Sequence, residues 1–304
     1  MGDEGGSKVA LIDVRGLIAD RTRSSFLSPG SNPVDELAAR LEKAQKDADV
    51  KAVILRINSP GGTVSASDTM YREVRRFREK TGKPVVVSMS ELAASGGYYL
   101  SLSGDEIFAQ PTTITGSIGV IIPSINISEG LKKIGVVSRS IKSGVNKDLA
   151  NPLEPMREGQ YAVLQGMVDE FYARFKGLVV ERRGRPQASE SAASESRHWL
   201  DMSRLADLTD GRVVTGAEAV KAGLADREGD LRDAFERAKT LAGMSGGRLV
   251  KYHTDGDRPR SAYAEEEVSP RMGVGDTNLV KVEMGNLGLG ELGGMPYYLW
   301  MPGQ

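Results

Sequence analysis

The chain has 304 residues, of which 39% are hydrophobic and 27% are charged, and its formal net charge is −1. This length suits one large or two modest globular domains, and a near-zero charge argues against a nucleic-acid binder, which normally carries a basic stripe. Cysteine is absent, which excludes disulfides, thiol nucleophiles and Cys-based metal sites. The only two histidines, His198 and His253, lie in polar stretches, so we expect neither a histidine-dependent mechanism nor a metal site.

No stretch approaches the ~18–20 consecutive apolar residues that a membrane-spanning helix needs. The first residues, Met1–Ser7, are acidic and glycine-rich, unlike a secretory signal peptide. The sequence therefore predicts a soluble chain without a transmembrane segment or signal peptide, so that any membrane anchor would be missing from this sequence or lie on a partner.

The first half of the chain alternates between strand and helix patterns. In chain order we predict strand Val9–Val14, a polar loop Asp20–Pro33, helix Val34–Ala48, strand Ala52–Ile57, helix Ala66–Lys80, strand Val85–Met89, a small-residue helix Leu92–Leu102, strand Glu106–Ala109 and strand Val136–Ile141. Strands separated by helices of this length imply right-handed βαβ crossovers. The fold class is therefore α/β, with a largely parallel sheet flanked by helices.

The second half is predicted to be mostly helical. Its elements are a long amphipathic helix Glu158–Arg183, a short strand and helix within Gly211–Asp226, and a helix Asp230–Ala242. We assign residues 1–7 to a flexible amino terminus and residues 8–243 to one domain, with residues 184–198 as an exposed insert. Residues 244–304, rich in glycine and charge, are expected to form a partly mobile carboxyl-terminal extension.

Three glycine-rich turns follow predicted strands: Ser59–Gly62, Ala94–Gly97 and Thr115–Gly119. In a parallel sheet such turns meet in one crevice beyond the strand ends, where ligands usually bind. Glycines let a substrate approach the main chain closely, and two converging N–H groups there would form an oxyanion hole. Each glycine pair taken alone is also compatible with an ordinary tight turn.

Ser95 is the candidate nucleophile because it lies in one of these turns, before a predicted helix. A serine at that position is most often only a helix cap, and the same applies to Ser117. A catalytic serine needs a base, and the first half offers only carboxylates and lysines. Lys147 lies in a glycine- and asparagine-rich loop, and a desolvated lysine can act as a base. Spacing alone does not show that Lys147 reaches Ser95.

Four motifs follow one another along the chain: INSPGGTV (Ile57–Val64), ELAASGGYYL (Glu91–Leu100), ITGSIGVI (Ile114–Ile121) and IKSGVNKDLANP (Ile141–Pro152), with VVTGAEAVKAGLAD (Val213–Asp226) after them. In their sequence and order the four motifs resemble the signal peptide peptidase A family, also called protease IV, and the last segment resembles the closing segment of that family. The resemblance covers about residues 8–240. It implies the fold that this family shares with Clp protease and the crotonase superfamily.

The resemblance also implies a serine peptidase with a Ser–Lys dyad and no metal or organic cofactor. Ser95 matches the nucleophile, Lys147 the general base, and Ser117 a serine whose hydroxyl holds the lysine amine. The N–H groups of Gly62 and Gly96 would bind the oxyanion, with Gly61 as the alternative to Gly62.

Further expectations concern assembly and substrate. Family members of this size form dome-shaped rings, here expected to have eight subunits, in which one subunit supplies the serine and its neighbour the lysine. The long helix and the sheet edges would provide contact surface. The family digests signal peptides at the outward face of the cell membrane, and the crevice should bind an extended peptide as an added strand.

Three rival interpretations stay open. A crotonase-type hydratase or thioesterase would require an acidic residue at the position of Ser95. A catalytically silent scaffold or stomatin-like partner protein would not need the set Ser95, Ser117 and Lys147. A phage-type prohead peptidase would use the same dyad on a capsid scaffold.

Overall fold

The computed structural model describes residues 6–21, 23–25, 28–185, 198–252 and 297–299. Most of the insert 184–198 and of the extension 244–304 lies outside these residues, as does nearly all of the amino-terminal segment 1–7. The flexible amino terminus, the exposed insert and the partly mobile extension therefore stay predictions.

Twelve strands are present within the described residues. They are β1 (Lys8–Arg15), β2 (Arg23–Ser25), β3 (Ser28–Ser31), β4 (Val50–Ser59), β5 (Gly61–Thr63), β6 (Val85–Ala94), β7 (Glu106–Ala109), β8 (Ile114–Gly116), β9 (Val213–Thr215), β10 (Arg227–Glu228), β11 (Arg248–Lys251) and β12 (Tyr297–Leu299).

Eight α-helices lie between or beside these strands in the same part of the chain. They are α1 (Pro33–Lys46), α2 (Val64–Thr81), α3 (Gly96–Ser101), α4 (Ser128–Lys133), α5 (Glu158–Arg183), α6 (Leu205–Leu208), α7 (Gly216–Lys221) and α8 (Leu231–Leu241). Local chemistry explains several boundaries. The side chain of Asn32 caps the start of α1, and α2 ends at Gly82, whose φ of 67° is left-handed.

The central sheet has the order β10-β7-β6-β4-β1-β11, and β8 continues it by pairing with β6 and β9. Every pair in it is parallel except β8–β9. Because β4 and β6 run parallel, their carboxyl ends, Ser59 and Ala94, lie at the same edge of the sheet. The predicted α/β class with a largely parallel sheet is confirmed.

The sheet is buried on both faces. Along β1, Ala10 and Ile12 face a large core that also includes side chains of α1, α2 and α5, whereas Val9 and Leu11 face a smaller core under α8. This alternation follows from the two-residue period of a strand. It explains why β1 and β4 are almost continuously hydrophobic.

Two predicted elements are wrong. Leu92–Ala94 does not begin a helix but continues β6, pairing with β8, and α3 starts only at Gly96. The small side chains of Ala93 and Ala94 are fully buried in the sheet, so they reflect close packing between strands. Residues 136–141 form no strand, because Val137 and Ile141 are 76% and 103% exposed and no neighbouring strand pairs with them.

Residues 121–157, here called the exposed arm, depart from the compact layers. The only helix in the arm is α4, and much of the rest lacks regular structure. Its exposed large apolar side chains belong to Ile121, Ile125, Ile127, Ile134, Val136, Val137, Ile141, Val145 and Leu153. Such a set of apolar groups in solvent marks a contact surface.

Seven of these strands were not predicted, namely β2, β3, β5, β8, β10, β11 and β12, and β2 and β3 lie within the predicted polar loop Asp20–Pro33. β11 pairs in parallel with β1 at the edge of the central sheet, and β12 pairs antiparallel with β5. Within the described residues, no helix combines the length and apolar character required to cross a bilayer.

Candidate active site

Ser95 occupies the turn between β6 and α3. Its backbone has φ 53° and ψ −115°, and its side chain makes no capping bond to α3. The residue is 1% exposed. Its N–H donates to the Gly116 carbonyl at 2.8 Å, and its own carbonyl accepts from the Tyr99 N–H at 2.8 Å. The hydroxyl therefore does not serve as a helix cap, which was the ordinary alternative for this position.

The backbone of Ser95 is strained, because a positive φ is rare for a residue with a Cβ. Such strain costs about 1–3 kcal/mol and persists only where the surrounding structure enforces it. Here β6 and β8 hold the preceding residue, Ala94, opposite Gly116, and α3 holds the following one. The turn presents Ser95 at the carboxyl end of the central strands, where a parallel sheet binds ligands.

The turns that carry Gly61, Gly62 and Gly96 touch each other. A methyl group added to Gly96 would lie 3.1 Å from the nitrogen of Gly62, and one added to Gly61 would lie 2.6 Å from the nitrogen of Gly96. A methyl group on Gly62 would lie 1.7 Å from the carbonyl oxygen of Ile18. Side chains are thus excluded at all three positions, which leaves main-chain amides to form this part of the crevice.

Hydrogen bonds distinguish the amides of Gly61 and Gly62. The Gly61 N–H already donates to the Ser59 hydroxyl at 3.1 Å. Ile18 occupies one side of β5, because its N–H donates to Gly61 and its carbonyl accepts from Thr63, both at 2.8 Å. In an extended strand successive residues turn their N–H and C=O groups to opposite sides. The amide of Gly62 therefore faces the other side of β5, where β12 pairs with it, whereas the Gly61 N–H is bonded to Ser59.

Ser117 follows β8 and also has a positive φ, of 51°. It is 7% exposed, and its N–H donates to the Arg212 carbonyl at 2.7 Å. Because the preceding residue, Gly116, accepts the hydrogen bond from Ser95, the two serines are joined through one short stretch of backbone. The three glycine-rich turns thus meet in one place, as the sequence predicts.

Lys147 lies on the exposed arm, and its side chain is exposed in the single chain. Its N–H donates to the Gly144 carbonyl at 3.1 Å. Within the described residues, no hydrogen bond or ion pair joins Lys147 to Ser95 or Ser117. The structure thus brings Ser95, Ser117, Gly62 and Gly96 together, and it records no such contact for the lysine.

Asp148 anchors the loop that carries Lys147, a role that sequence reasoning did not assign. Its carboxylate accepts a hydrogen bond from Gln160 at 2.9 Å and from Arg157 at 3.2 Å, and it pairs with Lys142. The hydrogen bond from the Lys142 ammonium holds the pKa of Asp148 below its usual range. These contacts fix the loop to the first turn of α5. Asp148 is part of the motif IKSGVNKDLANP, in which it directly follows Lys147.

Buried Arg183 is a second feature that sequence reasoning missed. It is 0% exposed and pairs with Asp226 at 2.8 Å and 2.9 Å. Its remaining donors bind the carbonyls of Gly223 and His198, and Asp226 also accepts from the Ile107 N–H. This network joins the end of α5 to the VVTGAEAVKAGLAD segment and β7. In the described part of the chain, no three His, Asp or Glu side chains are grouped to hold a metal ion.

Comparison with known proteins connects these features to a family. A model described as peptidase family S49 matches residues 77–245, a range that contains Ser95, Ser117 and Lys147. A putative signal peptide peptidase SppA of Enterococcus faecium is 32% identical over 282 residues, which cover 92% of this chain and 77% of that protein. Protease 4 of Haemophilus influenzae is 35% identical over 237 residues, which cover 77% of this chain and 35% of that protein.

A solved structure shares the fold. The protein titled 1510-N membrane-bound stomatin-specific protease aligns with a TM-score of 0.51 over 83% of this chain and 100% of that chain. The two are 15% identical in sequence.

Proposed function

The chain belongs to peptidase family S49 and is a serine peptidase, and on that premise we propose that it cleaves peptide bonds with Ser95 as nucleophile and Lys147 as general base. One observation carries the assignment of Ser95: a strained, uncapped serine lies beside two converging glycine turns. Strain of this kind is typical of active-site residues.

The mechanism starts with Lys147 as a neutral amine. It accepts the hydroxyl proton of Ser95 as Oγ attacks the scissile carbonyl, and the N–H groups of Gly62 and Gly96 donate to the developing oxyanion. The Lys147 ammonium then protonates the leaving amine. A water molecule activated by the same lysine then hydrolyses the acyl-enzyme. In this mechanism one lysine takes the roles that histidine and aspartate share in a catalytic triad. The Ser117 hydroxyl holds the lysine amine in place.

We further propose that neighbouring subunits share the dyad. A lysine acts as a base near neutral pH only when its ammonium form is withdrawn from water, and Lys147 is exposed in the single chain. The exposed arm carries apolar side chains, such as those of Val137 and Ile141, that lie in solvent in the single chain. A second copy of the chain would bury Lys147 and these apolar side chains together. The ring of eight subunits rests on the family resemblance.

The proposed substrates are extended apolar peptides, including signal peptides left after secretion. The side of β5 that faces away from Ile18 supports strand addition, because the segment Tyr297–Leu299 of this chain already pairs there as an antiparallel strand. The name of the Enterococcus relative supports the choice of signal peptides. By the same resemblance the protein would act at the outward face of the cell membrane, which fractionation of the native organism would test.

A fluorogenic apolar peptide tests the mechanism. Ser95→Ala and Lys147→Ala should each lower kcat by about 10³-fold or more, whereas Lys46→Ala, a change of an exposed lysine on α1, should leave it unchanged. Turnover by the Ser95→Ala variant would contradict the assignment of Ser95 as the nucleophile. Mixing the two inactive variants should restore part of the activity through hybrid sites. No recovery after demonstrated subunit exchange would contradict the shared dyad.

A further inference from the structure

Ser59 ends strand β4, directly before the glycine turn of β5, and it is 0% exposed. Its hydroxyl donates to the Gly16 carbonyl at 2.6 Å and accepts from the Gly61 N–H at 3.1 Å. A serine hydroxyl has one proton to donate, and because Gly16 takes it, an oxygen lone pair is left for Gly61. Neither contact takes part in the proposed proton transfer between Ser95 and Lys147.

Gly61 is held at both of its main-chain polar groups. Ser59 takes its N–H, and the Ile18 N–H donates to its carbonyl at 2.8 Å. The Gly61 carbonyl and the Gly62 N–H belong to the same peptide unit. Because that unit is planar and trans, its C=O and N–H point in opposite directions. The bond from Ile18 to the carbonyl therefore aims the Gly62 N–H at the other side of β5.

The glycine turn could rearrange easily without these bonds. Gly61 has φ 99°, a conformation that residues with a side chain rarely adopt, and two consecutive glycines have no Cβ to restrict rotation of the peptide unit between them. Bonds at its N–H and its C=O fix φ and ψ of Gly61. Without the Ser59 hydroxyl the buried Gly61 N–H would lose its acceptor, and an unpaired buried donor favours any rotation that provides one.

Ser59 also contacts the first turn of α3, which carries the second proposed oxyanion amide. A methyl group on Gly97 would lie 2.8 Å from the Ser59 carbonyl oxygen and 3.5 Å from the Ser59 Cβ, and Gly97 directly follows Gly96. Ser59 thus lies where the turn after β1, the glycine turn of β5 and the start of α3 meet. Its hydroxyl is placed to keep the amides of Gly62 and Gly96 in a fixed relation.

We propose that Ser59 is a positioning residue for the oxyanion hole. Its hydroxyl holds Gly61 so that the Gly62 N–H, and not the Gly61 N–H, donates to the developing oxyanion. This role rests on the proposed function, because it requires that an oxyanion forms at Ser95. It also selects Gly62 over Gly61, which the sequence leaves open as alternatives.

A peptide aldehyde tests this role, because it forms an oxyanion without cleavage of a bond. The probes are acetyl-leucyl-leucyl-leucinal and the matching alcohol, which cannot react. The Oγ of Ser95 adds to the aldehyde carbon, the hydroxyl proton passes to Lys147, and the aldehyde oxygen takes the negative charge. We expect Ser59→Ala to bind the aldehyde at least about tenfold more weakly than the wild type, and the alcohol within about twofold. Its kcat should fall at least about tenfold with little change in KM.

Ser103→Ala is the matched control for Ser59→Ala. Ser103 is also 0% exposed, and its hydroxyl donates to a main-chain carbonyl, that of Leu100, at 2.6 Å. This variant should bind both probes as the wild type does. Ser59→Cys keeps a side chain of similar size but offers a weaker acceptor, so its aldehyde affinity should lie between those of Ser59→Ala and the wild type. Should Ser59→Ala fail to fold, the aldehyde affinity of Ser59→Cys decides the test.

Equal weakening of the aldehyde and the alcohol would overturn the proposal, because Ser59 would then only stabilise the fold. Wild-type affinity of the Ser59 variants for the aldehyde would overturn it as well. Ser95→Ala separates these results from a failure of the proposed function, since this variant should bind the aldehyde no more tightly than the alcohol. If Ser95→Ala binds the aldehyde as tightly as the wild type does, no oxyanion forms at Ser95 and both proposals fail.

Discussion

Ser95 lies at the end of a buried central strand, whereas Lys147 lies on an arm whose apolar side chains face solvent. The serine side of the site has its conformation imposed by β6, β8 and the glycine turns of the same chain. The loop that carries Lys147 is held to the start of α5 by hydrogen bonds from Gln160 and Arg157 to Asp148 and to the Val145 carbonyl. The difference shows that the chain alone fixes the positions of Ser95 and the glycine amides, while the surroundings of the proposed base, Lys147, depend on what covers the arm.

The largest expected difference concerns two arginines. Arg183→Met should lower the free energy of unfolding by about 3–5 kcal/mol, because it breaks the buried ion pair in which Asp226 accepts two hydrogen bonds from Arg183. Arg157→Met removes an arginine with a half-exposed side chain and should cost less than about 1 kcal/mol. Denaturant titration of both variants measures the effect. Similar midpoints would show that the Arg183 network does not stabilise the domain.

Replacing a glycine by alanine is also expected to have different effects on kcat in the two regions. Gly62→Ala would press a methyl group against the Ile18 carbonyl, and we expect the displaced amide to lower kcat about 10²–10³-fold, as for loss of an oxyanion donor. Gly130→Ala, on α4 of the exposed arm, meets nothing within 4 Å and should leave kcat unchanged. An active Gly62→Ala protein would show that this amide is not needed. Circular dichroism at the assay temperature controls for folding.

The strain at Ser95 predicts a difference between two inactive variants. Ser95→Gly relieves a positive φ that Ser95→Ala retains, while glycine adds freedom to the unfolded chain. The net expectation is that Ser95→Gly is about 1 kcal/mol more stable than Ser95→Ala. Thermal unfolding of the pair measures this. The reverse order would mean that the turn is not strained.

The smallest expected effect concerns pH. The pKa of Asp148 is lowered in the folded protein. Its contribution to the stability of the folded state is therefore complete above the pKa of the unfolded chain, about 3.9. That contribution is lost only as the pH falls through the still lower pKa of the folded state. Asp148→Asn should therefore reduce kcat without moving the pH of half-maximal activity between pH 5 and 9. A displaced profile would mean that Asp148 titrates within the catalytic range.

The sequence predicted the regular elements where one physical signal dominated. Helix α5 was predicted with the bounds that the structure has, Glu158–Arg183, and strand β7 likewise. Ala93 and Ala94 were misassigned because small residues suit both a buried helix and a crowded sheet. Strand β11 was missed because a four-residue edge strand depends on its neighbour more than on its own pattern.

The candidate site shows the same limit. The convergence of the glycine turns near Ser95 follows from the parallel order of β4 and β6, which the alternation of strands and helices already implied. The strain at Ser95 and the pairing of β12 with Gly62 depend on tertiary contacts that no local pattern encodes. Sequence spacing could not predict the distance from Lys147 to Ser95, because Lys147 lies on the exposed arm that connects β8 with α5.

Helix α5 links three parts of the molecule. Gln160 in its first turn donates to Asp148 in the loop that carries Lys147, Phe175 packs against Tyr298, and Arg183 at its end pairs with the buried Asp226. About 22 Å separates the first two of these residues along the helix axis. Because these contacts lie on one continuous helix, we expect a substitution that tilts α5 at Phe175 to shift the loop that carries Lys147 as well. Changes made in the core at Phe175 should therefore also affect the position of Lys147, the proposed base.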